Sequence, residues 1–199
     1  MLDGFTSLDG RLAVWIATHR YAPANDVFVW LGWIDKLGAV WMVLAAVISF
    51  RLRRRAIPAL ATTVLTALTT LAADTVALGV KDLVHRTRPF VTHPQIHPLY
   101  AVHSSSFPSG HAATAFAGAI LLSYLAPRSA PLFVALASAI SFSRVYVGVH
   151  YPIDVAAGAA IGAAVGSLAV LLLWLGRRHA GWSIERLAHR GAQVILRNG

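Results

Sequence analysis

Three short clusters in this sequence have the side chains and the spacing for phosphate chemistry. Lys81 is followed, after six intervening residues, by Arg88-Pro89. Pro108-Ser109-Gly110-His111 is the second cluster, and Ser143-Arg144 with His150 and Asp154 is the third. Singly, most of these have ordinary explanations. Lys and Arg at helix ends anchor a helix at a membrane interface. Pro-Ser-Gly-His starts a helix, with Ser as its cap. His150 and Asp154, four apart, make a structural ion pair. Arg144 is harder to explain this way, because a charge near the end of an apolar helix is costly and needs a partner. Together the clusters have one economical reading. Lys81, Arg88 and Arg144 are three cations that repel one another unless an anion joins them, and phosphate takes bidentate contacts from Arg and a point charge from Lys. Ser109 and Gly110, at a helix start, add free N–H groups and the positive end of the helix dipole. His150 and His111 then supply a nucleophile and a proton donor.

The elements that must position these residues are membrane helices. The 199 residues are 57% hydrophobic and only 13% charged, with mean hydropathy +0.63. Soluble domains carry about 25% charge, and the apolar residues here come in long runs rather than in alternation. The pattern predicts an all-α integral membrane bundle of about five spans, at 30–50, 56–80, 109–125, 132–147 and 153–175. Residues 1–26 read as an interfacial helix rather than a cleavable leader, since Leu12, Val14, Trp15 and Ile16 make too short an apolar stretch. Residues 27–176 form the transmembrane core and 177–199 a basic tail, all one domain. There is no cysteine, which excludes disulfides, thiolate metal sites and cysteine nucleophiles.

Alternating the spans sorts the charges. Arg11, Arg20, Lys36, Lys81, Arg86, Arg88 and Arg144 share one side with Asp3, Asp9, Asp26, Asp35, Asp74, Asp82 and Asp154. The other side holds Arg51, Arg53, Arg54, Arg55, Arg128, Arg177, Arg178, Arg186, Arg190 and Arg197 against Glu185. The whole net charge of +9 lies there. Short Arg-rich loops stay in the cytoplasm, so this side and the C-terminus are expected in the cytoplasm of a cell (inner) membrane protein, with all three clusters facing outward. The same asymmetry accounts for the basic balance without nucleic acid.

The three ordered clusters resemble the signature of the type-2 phosphatidic acid phosphatase family, whose site is shared with vanadium haloperoxidases. Every motif position is filled between Lys81 and Asp154, and the helix order agrees over about 27–175; an extra N-terminal span of larger bacterial relatives is expected to be missing. The resemblance implies that His150 attacks phosphorus and becomes phosphohistidine, that Asp154 orients its ring, and that His111 protonates the leaving lipid oxygen and then activates water. Lys81, Arg88, Ser109, Gly110 and Arg144 would bind the phosphoryl oxygens. Ser143 would add a hydrogen bond. No metal or other cofactor is implied.

The long connection 81–108 contains four of the nine histidines, His85, His93, His97 and His103. Pro94 and Pro98 argue against a helical metal site there, so head-group contact is the better reading. Asp74, inside a membrane helix, is read as structural support, paired with a site cation or with another helix, and direct catalysis is the alternative. Gly158, Gly162 and Gly166 form a small-residue stripe for close packing, with a homodimer seam as the alternative. The expected substrate is a lipid phosphate or diphosphate. Outward topology favours an isoprenyl (undecaprenyl-type) diphosphate, with phosphatidic acid and phosphatidylglycerophosphate as rivals. A lipid phosphotransferase and a non-catalytic binder on the same bundle are the other classes.

Overall fold

The computed structural model describes the backbone of residues 2–53, 56–100 and 102–197, and the side chains of 7–51, 59–100 and 102–178. The described residues form helices and no strand: α1 (Leu2–Thr18), α2 (Asn25–Ile34), α3 (Ala39–Arg53), α4 (Ala56–Val84), the short α5 (Pro89–Thr92), α6 (Gly110–Leu125), α7 (Ala130–Tyr146) and α8 (Pro152–Arg197). Of the expected tail 177–199, residues 177–197 continue α8. The side chains of Asp3, Arg53, Arg54, Arg55, Trp182, Glu185, Arg186, Arg190 and Arg197 lie outside the described residues.

Helix α6 is the axis of the bundle. Ala112, Ala113, Ala115, Ala117, Ala119, Leu121 and Leu122 are all buried on it, and a helix that is apolar all round belongs in an interior. Trp41 of α3 is fully buried against it, occupying the space a side chain on Gly118 would need. On the opposite flank, a Cβ on Gly158, Gly162 or Gly166 would run into the Ser109, Ala113 or Ala117 carbonyl. The glycine stripe therefore packs α8 directly on the α6 backbone. Outside, Leu60, Leu68, Leu71, Val43, Leu132, Leu168 and Leu172 are exposed by between 53% and 71%, an apolar belt suited to lipid.

Helices α4, α7 and α8 are each long and apolar enough to cross a membrane, and α2 and α3 make a fourth as a bent pair. Helix α6 is a shorter apolar helix. The first expected span, 30–50, is thus not one straight helix. It breaks at Asp35–Gly38 with a bend of 52°, where Leu37 and Gly38 take positive φ of 55° and 75°. Gly38 suits that conformation, and Thr70 packs where its side chain would be. Helix α3 descends beside α4, while α2 turns onto α7 across the bundle end. Helix α1 occupies the stretch read as interfacial. Its Ala13 and Ala17 pack on Ile96 and Tyr151, and Trp15 stays 61% exposed.

Candidate active site

Chain direction brings the three clusters to one end of the bundle. Helices α4 and α7 finish there, and α6 and α8 begin there. A cavity of about 230 Å³ opens between them, lined by Lys81, Arg88, Gly110, His111, Arg144 and His150 together with Asp35, Asp74, Tyr100 and Ser104. Asp154 stands behind His150. Ser109 is fully buried and does not line the cavity. Its hydroxyl caps α6 by accepting from the Ala112 N–H at 3.5 Å, and its own N–H donates to the Asp154 carbonyl at 2.9 Å. The cavity-facing part of that cluster is Gly110 and His111, in the first turn of α6.

His150 follows a tight turn between α7 and α8 in which Gly148 has φ of 83°. A side chain at Gly148 would meet Arg20 and Ile96. The ring is 4% exposed, with Nδ1 at 3.5 Å from Asp154 Oδ2, at the limit of a hydrogen bond. That orientation leaves Nε2 for the cavity. Burial pushes the His150 imidazole down to about 4, with Asp154 pulling it up and Arg88 and Lys81 pressing it further down. The ring is therefore neutral at pH 7 and keeps its lone pair. Asp154 is held from several directions. Its Oδ2 accepts from the Ser106 hydroxyl at 2.5 Å and the Tyr151 N–H at 2.9 Å, and its Oδ1 accepts from Arg86 at 2.5 Å.

His111, in the first turn of α6, places Nε2 at 3.2 Å from the Gly32 carbonyl. A carbonyl only accepts, so Nε2 carries the proton and Nδ1 is the nitrogen free for chemistry. Arg144 is 1% exposed. It donates to Ser143 Oγ at 2.9 and 2.7 Å, to the Tyr100 hydroxyl at 2.6 Å and to the Phe28 carbonyl at 3.1 Å. Gly32 leaves room for its guanidinium. Arg88 donates to the carbonyls of Ser104, Val149 and Ser105 and to the Ser104 hydroxyl. Among the described residues no carboxylate lies within ion-pair distance of Lys81, Arg88 or Arg144.

Several site residues lay beyond the sequence reading. Arg86, Asp9 and Ser106 support Asp154; Tyr100 and Ser104 hold the arginines. Asp35, grouped by sequence with the end charges, is 1% exposed and accepts from Thr114 at 3.0 Å. The loop histidines do not line the cavity: His93 packs against Tyr151, and the His97 carbonyl accepts from Arg20. Asp74 does line it, with Oδ1 beside Gly110, and makes no ion pair with another described residue. No group of three or more possible metal ligands occurs among the described residues. A second cavity of about 340 Å³ shares Lys36, Tyr100, His111 and Arg144 with the first and runs along α2 past Val29, Gly32 and Trp33.

Comparison with known proteins places this geometry. The chain is 42% identical over 97 residues to the decaprenylphosphoryl-5-phosphoribose phosphatase of Mycobacterium tuberculosis, covering 48% of this chain and 52% of that protein. It is 36% identical over 95 residues to the undecaprenyl-diphosphatase of Sulfolobus acidocaldarius, covering 45% of each. The matched stretch thus spans about half the length of these relatives. The fold is similar to the crystal structure of a transmembrane PAP2-type phosphatidylglycerolphosphate phosphatase from Bacillus subtilis, with a TM-score of 0.69 and 21% identity over 85% of this chain and 86% of that one. Residues 59–178, more than half of the chain, match the PAP2 superfamily, and this integral membrane protein belongs to that family.

Proposed function

We propose that this protein is a lipid phosphatase that works through a phosphohistidine, with an isoprenyl diphosphate of the undecaprenyl type as its substrate. One observation carries the reading: a neutral histidine nitrogen faces a cavity whose three buried cations are paired with no carboxylate among the described residues. A phosphoryl group is the anion that such a cavity lacks. His150 Nε2 attacks phosphorus, and the bond from phosphorus to the leaving oxygen breaks. That oxygen takes a proton from His111, protonated at Nδ1 in the complex. Nδ1–H of His150 then donates to Asp154, which balances the charge on the phosphorylated ring. Lys81, Arg88, Arg144 and the N–H groups at Gly110 hold the equatorial oxygens as charge builds on them. In the second step His111 Nδ1 removes a proton from water, the water oxygen attacks phosphorus, the P–N bond breaks, and inorganic phosphate leaves.

The choice of a diphosphate rests on the second cavity. Past His111, where the leaving group would lie, Lys36 and Arg144 offer charge to a second phosphate, and Val29 and Trp33 offer an apolar start for the tail. The two curated relatives named above also carry polyprenyl groups in their names. The Arg-rich ends of the other side argue for an extracytoplasmic site. Because the sequence has no cysteine, a single cysteine introduced in the 85–108 loop would report sidedness cleanly. Labelling by an impermeant maleimide in intact cells is the expected result.

The test of activity is phosphate release by detergent-purified protein in excess EDTA, with isoprenyl diphosphate, phosphatidic acid and phosphatidylglycerophosphate offered in parallel. Release should survive chelation, be fastest with the isoprenyl diphosphate and vanish in His150→Ala. Hydrolysis of the glycerol-based lipids alone would overturn the substrate assignment. Phosphate that appears only when an acceptor lipid is present would make the protein a phosphotransferase. Equal turnover by wild type and His150→Ala would leave a binding protein.

A further inference from the structure

We propose that Asp9 and Arg86 extend the catalytic pair, so that α1 orients Asp154 and, through it, the ring of His150. The inference rests on the reading of His150 as the nucleophile. Arg86 bridges two carboxylates, donating from Nη1 to Asp154 Oδ1 at 2.5 Å and from Nη2 to Asp9 Oδ2 at 2.6 Å. The Asp9 and Asp154 side chains are 1% and 0% exposed, and that of Arg86 is 23% exposed. The guanidinium lies 4.0 Å from the Tyr151 ring centroid. The other oxygen of Asp9 accepts the Ile153 N–H at 2.9 Å, fastening α1 to the first turn of α8.

This arrangement decides where Asp154 points. Its Oδ2 faces His150 Nδ1 across 3.5 Å, so a small rotation of the carboxylate would make or break that contact. Arg86 fixes Oδ1 against such a rotation, and Asp9 fixes Arg86. The two carboxylates and one guanidinium leave one net negative charge, which matches the positive ring of a phosphohistidine. Lys81 and Arg88, the other charges acting on Asp154, sit on the cavity side and do not touch it. Asp9 also lies outside the 59–178 family match, so this support comes from a separate part of the chain. Asp9 and Arg86 touch no substrate and are positioning residues.

The probe is orthovanadate, a phosphate mimic that can bond to a histidine nitrogen and whose binding does not depend on which lipid is cleaved. Vanadate affinity of the full-length protein in detergent should fall about 10- to 100-fold in Arg86→Gln, the range for partners that orient a reactive side chain. The fall should be smaller in Arg86→Lys and in Asp9→Asn. The Asp9→Asn/Arg86→Gln double variant should be no worse than Arg86→Gln alone. On the lipid substrate, kcat should fall by similar factors with KM within about twofold. Added guanidinium ion, but not sodium at equal ionic strength, should restore part of the affinity of Arg86→Ala. Wild-type affinity in Arg86→Gln, or losses that add in the double variant, would overturn the inference. If Arg86→Gln does not fold, Arg86→Lys and Asp9→Asn carry the same test. Wild-type protein that binds vanadate but hydrolyses no lipid would sink the phosphatase reading and leave this one standing. Vanadate binding unchanged in His150→Ala would sink both.

Discussion

Arg88 and Arg144 differ from Arg86 in the company they keep. The first two are held by carbonyls and hydroxyls, which fix a guanidinium without cancelling its charge. Arg86 is held by two carboxylates, which cancel it. A fixed but unneutralised cation attracts an anion from outside; a neutralised one holds together what is already inside. The two environments lie at the same end of the bundle, so location does not separate a ligand-binding arginine from a structural one. The chemistry of its acceptors does.

That contrast can be broken experimentally. Arg144→Met should reduce kcat/KM by about 10³-fold, the cost of losing a donor aimed at developing charge, while stability falls less because the acceptors left behind are neutral. Arg86→Gln should reverse the ranking on stability. It strands two buried carboxylates and should cost about 3 kcal/mol in denaturant unfolding, near the low end for a broken buried pair because Arg86 is partly exposed. If both arginines gave the same ratio of activity loss to stability loss, the distinction would fail.

The pH profile sharpens it further. In the proposed mechanism neutral His150 is the reactive form, and its folded value of about 4 lies below the unfolded value of about 6.5. For the free enzyme, the fall in kcat/KM that His150 protonation causes should therefore be absent at about 6.5 and come only near 4. The unfolded chain takes up the proton first, so His150 contributes a loss of stability between about 6.5 and 4 that His150→Gln should lack. The smallest effect is expected from Ser109→Ala. Its hydroxyl caps α6 rather than facing the cavity, so about 1 kcal/mol of stability should go with less than about a tenfold loss of activity.

Much of the site was legible because its residues sit at fixed offsets on helix ends, where spacing along the chain translates into position. The all-helical membrane bundle followed equally from long apolar runs. What could not be read were partners brought in from afar. Asp9 meets Arg86 across 77 residues, and no local pattern announces that contact. Tyr100, Ser104 and Ser106 lie in irregular loop, where no periodicity says which way a side chain faces. Asp35 was grouped with surface charges because an unbroken 30–50 helix puts it near an end. The left-handed pair Leu37-Gly38 buries it instead, and Gly38 was the one available signal of that break. The loop histidines drew attention by residue type alone, and the structure gives the cavity wall to Tyr100, Val102 and Ser104.

The glycine stripe on α8 acts as a gauge for the cavity. Gly158 lies where any side chain would strike the Ser109 carbonyl, one turn beyond Asp154 and directly beneath the start of α6. The separation between His150 and the start of α6 is thus set by atoms that are missing. A single methyl group at 158 would be a wedge at the narrow end of a V, pushing Gly110 and His111 away from His150 while the far ends of both helices stay where they are. Such a protein would remain folded in its membrane and grip phosphate at the wrong distance.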